Sequence, residues 1–312
     1  MAEPTLTTLT AAWAPVAVAL LGLLALVGAT VDSVATARAE GVGASGLTGP
    51  LRSTVRLMRQ RRRTTVEADR PLWRIGGAGL LVVACLMVAV VPLDRWAILD
   101  PDVGVVWFNA MDVLVWALVW LVGWGPNSTH SLVGAYRFLA HALGYELPLM
   151  FALVAPAIAA ASLRVGDIAA AQQGLWYVVW MPGAFAVYCV GVLGFSLLGP
   201  FTPALGADIA GGVTAEMSGV DRLVFLVGRH ALLAAGAAFA VPLFLGGGAG
   251  PLLPGWLWVI VKAVVLLVAL VLLRRRVPAI RPDLFMELGW LVLLPVALVQ
   301  DLVVAVVVVG RG

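Results

Sequence analysis

Ionisable side chains fall where the surrounding sequence is fit for hydrocarbon. In GAYRFLAHALGYELPLMF, residues 134–151, Arg137, His141 and Glu146 stand at the edge of an apolar stretch. Asp112 sits midway through VVWFNAMDVLVWALVW, Asp301 divides LVLLPVALVQDLVVAVVVV, and Arg229, His230 and Lys262 fall inside two further apolar runs. A charge at mid-membrane costs on the order of 2.5–3.5 kcal/mol on insertion scales, so each such residue is by default a functional or interhelical candidate. Two chemistries are open. A carboxyl that lipid desolvates holds its proton more tightly, which suits a proton relay or hydrated path. Alternatively, acids and bases from different spans neutralise each other in buried ion pairs, or a protonated carboxyl hydrogen-bonds to a neighbouring helix.

Helical geometry sharpens the first stretch. At about 100° per residue, Arg137, His141 and Tyr145 share a face and Glu146 lies nearly opposite Arg137. The two charges are not expected to neutralise each other within the helix, and each needs a partner or water elsewhere. Pro148 removes the bond to the Gly144 carbonyl and is expected to kink the helix there. Acid and base on different sides of a break at the membrane boundary suit a hydrated cavity.

The elements that position these groups follow from composition. Hydrophobic residues make up 62% of the 312 and charged residues 12%, against roughly 45–50% and 25% in soluble domains. The chain is expected to be all-α, a single polytopic membrane domain over 1–312. At about 20 apolar residues per span, eight transmembrane helices are predicted, near 12–31, 75–93, 103–123, 146–164, 174–198, 223–246, 255–273 and 288–310. The first is read as a retained helix, because its flank MAEPTLTTLT carries no cation. After it, about 46–70, Leu51, Val55 and Met58 recur a turn apart among arginines, the pattern of an amphipathic cytoplasmic helix lying on lipid or clamping a partner.

With both termini outside, the inner loops hold 15 of the 20 Lys and Arg, the bias expected of cytoplasmic loops in a plasma membrane of bacterial type. The run RLMRQRRR is then a topology signal, and nucleic acid is not expected as a partner. Cys85 and Cys189 lie in apolar spans without ligand spacing and are read as packing residues. There is no Ser-His-Asp constellation, metal cluster or phosphate-binding loop, so no cofactor is expected to be bound by motif and electron transfer falls to partners.

The segment GWGPNSTHSLVGAYRFLAHALGYELP resembles the H-subunit (subunit 1) family of respiratory complex I, NADH:quinone oxidoreductase, whose pattern is loosely G-W-x-S-N-x(4)-L-L-G-A-x-R-x(3)-Q-x-x-S-Y-E-x-P. Gly123, Trp124, Asn127, Gly134, Ala135, Arg137, Tyr145, Glu146 and Pro148 match. TGPL at 48–51 resembles the entry to the family's amphipathic helix. GGVTAEMSG at 211–219 resembles G-x-x-x-E-Y-S-G, and 261–295 keeps Lys262, Arg274, Pro278, Arg281, Asp283, Met286, Trp290 and Pro295 in family order. Membrane subunits of energy-converting, formate-hydrogenlyase-type hydrogenases are related but lack much of the first segment. The resemblance implies a subunit without a redox centre of its own, framing a quinone chamber beside a peripheral iron–sulfur or hydrogenase-like arm. Its carboxylates would open a path toward antiporter-like membrane subunits. Arg137, Tyr145, Glu146, Asp208, Glu216, Arg274, Arg281 and Asp283 become chamber or proton-path candidates, with quinone the candidate substrate; Asp112, Arg229, His230, Lys262 and Asp301 are intramembrane relay candidates. Departures bear on that role. Phe195 and Leu198 stand where the family has Glu and Arg, Asp208 is the survivor of an acidic loop, and Gly228, Arg229 and His230 replace A-E-Y. Losing Glu and Arg together avoids stranding one buried charge. The alternative function is a divergent structural anchor or ion-conducting subunit of a hydrogenase-like complex, without quinone chemistry.

Overall fold

A computed structural model describes residues 6–41, 43–198, 200 and 203–310. The first half of the MAEPTLTTLT flank, Arg311, and Gly199, Phe201 and Thr202 of the divergent GFSLLGPFT stretch lie outside the described residues. In chain order the helices are α1 (Ala14–Ala39), α2 (Gly49–Arg59), α3 (Arg70–Ala89), α4 (Gly104–Trp124), α5 (Thr129–Ala160), α6 (Val165–Ala170), α7 (Tyr177–Trp180), α8 (Pro182–Phe195), α9 (Gly219–Phe244), α10 (Gly255–Leu273), α11 (Pro282–Leu288) and α12 (Leu294–Val309). A π-helical stretch, Gly289–Leu293, joins α11 to α12. Short strands β1 (Thr7–Thr8) and β2 (Trp96–Ala97) pair in parallel.

Among the described residues, seven helical segments are long and apolar enough to cross a bilayer: Ala11–Ala39, Arg70–Ala89, Gly104–Trp124, Thr129–Ala160, Gly219–Phe244, Gly255–Leu273 and Pro282–Val309. A helix bonds its backbone to itself, as lipid requires. The fold is the expected polytopic all-α bundle, with three differences in detail. The fifth expected span, 174–198, is broken at Met181 into α7 and the 14-residue α8. The fourth helix begins at Thr129 rather than 146 and continues through Pro148 and Pro156. The amphipathic segment is α-helical only over Gly49–Arg59, entered from a 3-10 helix, Gly43–Thr48.

Helix α9 runs through the centre, with Ala231–Phe244 buried on every side; a helix apolar all round belongs in a core. Without a hydrophobic drive between helices in lipid, small residues allow the close approach that packing needs. At Gly76 of α3, an added Cβ would stand 2.6 Å from the Leu118 carbonyl oxygen of α4. Outward faces stay apolar and exposed, as Leu302 and Val306 on α12 do.

Irregular backbone at membrane depth survives only where protein groups satisfy it, and three polar side chains do so here. At the Met181 break, Gln300 donates to the Trp180 carbonyl and accepts from the Gly183 N–H, both at 3.3 Å. Buried Gln172 donates to the carbonyls of Ile168, Pro242 and Leu243 and accepts from the N–H groups of Tyr177 and Gly246. Lys262 donates to the carbonyls of Leu245, Gly247 and Ala249 at 2.6, 2.9 and 2.7 Å, with its ammonium 4.1 Å from the Trp176 ring centroid. Lys262→Met should therefore cost about 3 kcal/mol, through three carbonyls left without a charge-assisted donor. The unfolding midpoint of the detergent-solubilised protein measures this; an unchanged midpoint would remove Lys262 from the set of structural residues.

Candidate functional site

The face carrying α2 is tied together by contacts between segments distant in sequence. The loop 203–217 lies on α5 at Gly134, where an added Cβ would meet the Val213 nitrogen at 2.6 Å and the Ala204 carbonyl oxygen at 2.7 Å. That approach brings Asp208 to Arg137, 2.6 Å apart, and Glu216 to the Ser128 hydroxyl, which donates across 2.9 Å. Gln60 accepts from the Gly219 N–H and Ser218 from the Arg63 N–H, so the chain after α2 is fastened to the start of α9. Three of the expected chamber residues, Arg137, Asp208 and Glu216, thus gather at one membrane face, a helical turn or more from the buried His141 and Glu146 of α5.

Deeper in the bundle, Asp112 on α4 and Glu146 on α5 are neighbours, with Asn109 and Trp116 beside Glu146, and neither carboxyl forms a hydrogen bond to a described residue. Asp112 is fully buried and Glu146 nearly so. Tyr145 is buried beside them, with Trp116 near its hydroxyl. Two carboxyls bond to each other only when one holds a proton, because an ionised carboxylate has no donor. Of the two buried arrangements open to the intramembrane acids, an ion pair with a base is not the one found here, since neither Asp112 nor Glu146 pairs with a Lys, Arg or His among the described residues. The basic candidates are elsewhere: Arg229 donates to the Leu197 carbonyl, Lys262 is held by its three carbonyls, and His230 Nδ1 lies 2.9 Å from the Leu226 carbonyl. Asp301 is buried on α12 with Oδ1 lacking a partner among the described residues. His141 is buried and stacks on Phe285 with ring centroids 4.0 Å apart.

A cavity of about 600 Å³ opens between α1, α2, α3 and α9. Leu21, Ala25, Leu57, Cys85 and Leu226 supply apolar wall, while Asp32, Ser33, Ser53, Thr54 and His230 supply polar atoms toward the α2 face. Leu57 is the buried residue of α2, and the stripe Leu51, Val55 and Met58 points outward. Asp32 accepts from Arg275 Nε at 3.0 Å and Nη2 at 2.6 Å and also pairs with Arg274, which fixes the end of α10 to α1. Arg229 is within electrostatic reach of Asp32 and Arg274. By contrast, Arg281 and Asp283 pair with each other on the exposed surface and do not line the cavity.

Sequence reasoning passed over Asp32, which falls one residue beyond the expected end of the first span; a carboxylate at that margin was the available signal. It also passed over Asn109 and Trp116, which only the α4/α5 packing brings to Glu146. Among the described residues no group of three or more His, Cys, Asp or Glu side chains is placed to hold a metal ion.

A family model described as NADH dehydrogenase matches residues 9–305. The NADH-quinone oxidoreductase H subunit 2 of Geobacter sulfurreducens is 33% identical over 273 residues, covering 84% of this chain and 83% of that protein. The corresponding H subunit 2 of Cereibacter sphaeroides is 34% identical over 277 residues, 87% and 86% of the two chains. The H subunit of Magnetococcus marinus is 32% identical over 264 residues, 82% and 77%. With a matching family model over nearly its whole length and relatives of this likeness, the chain belongs to the NADH dehydrogenase family as a membrane subunit of the H type.

Proposed function

We propose that this chain is the quinone-admitting membrane subunit of a complex I-like oxidoreductase, and that it anchors a peripheral redox arm. The observation that carries this reading is the cavity beneath α2. A long-tailed quinone needs an apolar passage for its tail and polar groups for its head, and the cavity offers apolar wall with Asp32, Thr54 and His230 toward one end. Because Nδ1 of His230 is engaged by the Leu226 carbonyl, Nε2 is the ring nitrogen left for a further hydrogen bond. The Asp112–Glu146 pair supplies a proton-sharing group within the membrane.

The same geometry supports the partners. Exposed Leu51, Val55 and Met58 on α2, flanked by Arg52, Arg56 and Arg59, make an apolar and cationic surface suited to a peripheral iron–sulfur subunit. The apolar outer faces suit antiporter-like membrane subunits. Both termini lie outside the cell, which leaves the arginine-rich face in the cytoplasm.

Gly22 gives the test, since a Cβ added there meets nothing within 4 Å and the residue lines the cavity. In the assembled complex, Gly22→Trp should raise KM for a long-tailed quinone at least roughly tenfold, and that for a tail-less quinone less. Electron transfer to a water-soluble acceptor should not change. Equal effects on both quinones would count against this passage.

One observation favours the anchor reading. Phe195, at the position where the family pattern has Glu, is fully buried with its ring 6.2 Å from that of Phe108, which stacks on Phe239 at 3.8 Å. Those rings are dry packing where a carboxylate would conduct. A complex indifferent to both Gly22→Trp and loss of Glu146 would be of the anchor type.

A further inference from the structure

At the opposite membrane face from α2, a second cavity of about 480 Å³ lies between the start of α1, the end of α3 and helix α10. Val16, Leu20, Val91, Val259 and Ile260 are among its walls, and its lining side chains carry no hydrogen-bonding group apart from the indole N–H of Trp13 and Trp96. An apolar cavity of this kind does not hold water and takes apolar molecules instead; in a bilayer the molecule at hand is a lipid chain. A quinone head would find no pair of polar partners inside it.

The rim adds a charge. The Arg95 guanidinium stands 5.3 Å from the centroid of the Trp96 ring and forms no ion pair among the described residues. Neighbouring Asp94 does not neutralise it, because its carboxylate is seated between Gly248 and Gly255 at the first turn of α10. A Cβ at either glycine would come within 2.5 Å of an Asp94 oxygen. That seat also answers the positive end of the helix dipole. Asp100 is taken by Arg164 at 3.1 Å, and burial pushes its carboxyl pKa up against that pairing. Pairing of β1 with β2 holds Leu9 and Trp96 across the opening, and Trp13 and Trp96 sit where tryptophans mark a membrane interface.

We propose that this cavity binds one anionic glycerophospholipid, with an acyl chain between α1, α3 and α10 and the phosphate at Arg95. The site is separate from the quinone passage and does not depend on it. The assembled complex, depleted of lipid and re-equilibrated with phosphatidylglycerol or phosphatidylcholine, can be read by native mass spectrometry. The wild-type complex should retain one more phosphatidylglycerol than phosphatidylcholine. Arg95→Gln should reduce that preference about fivefold, the effect of one interfacial cation. Ala17→Trp, from the α1 wall, should remove retention of both lipids, and Ile260→Trp provides the same test from the α10 wall should the first variant not assemble. Equal retention of the two lipids by the wild type, unchanged retention in an assembled cavity-filling variant, or recovery of quinone in place of lipid would overturn the assignment.

Discussion

Glu146→Gln should lower quinone reduction coupled to proton uptake by roughly a hundredfold, the lower end of what a positioned acid–base group supplies, while the complex still assembles. The amide keeps the size of the carboxyl and stands among the same neighbours, Asp112, Asn109 and Trp116, so packing is not the casualty. What disappears is a second oxygen acid able to take the shared proton. Asp112→Asn should produce a loss of similar size, because the two carboxyls act as one proton-holding unit. The double variant should then be little worse than either single one, as expected of residues that function together. Rates of quinone reduction and proton uptake in reconstituted vesicles measure the effect. Turnover within about threefold of wild type for both single variants would dismiss the pair as a relay and leave it a packing feature.

Asp32→Ala should destabilise the protein by about 2–3 kcal/mol and disturb the cavity at its polar end. Asp32 is mostly buried and accepts from two arginines, and removing it leaves Arg274, already near Arg229, and Arg275 without the acid that joins them. Stranding partly buried cations costs more than the pair contributes while intact. The tie from α10 to α1 also goes, so both a lower unfolding midpoint and a raised KM for quinone are expected. Asp32→Glu should recover most of the stability. A midpoint unchanged in Asp32→Ala would mean that the arginines find other acceptors and that the clip is incidental.

Composition and hydropathy alone are enough to place this protein among polytopic membrane bundles and to locate its long helices. Hydrocarbon admits only backbone that bonds to itself, so an apolar run near 20 residues carries its own assignment, as α1, α4 and α10 illustrate. The same rule explains where expectation and structure part. The region 174–198 is apolar enough to span, yet Gln172 and Gln300, remote in sequence from the groups they serve, satisfy the backbone of a broken segment. No local pattern reports that. Likewise Arg137, Glu146 and Asp112 stand out in the sequence as out of place in or beside lipid, because desolvation cost is a property of each side chain alone, whereas Asp208, in a loop, is singled out only by the family resemblance. Which partner each one takes is a property of packing. Gly134 admits the loop that brings Asp208 to Arg137, and the meeting of α4 with α5 sets one acid against another where a pairing of opposite charges was equally open. The cavity under α2 belongs to the same class, since its walls come from four helices and its key acid sits at the margin of a span. Pairings between segments remote in the chain depend on interhelical separations of a few ångströms, and those separations exist only once the helices have packed.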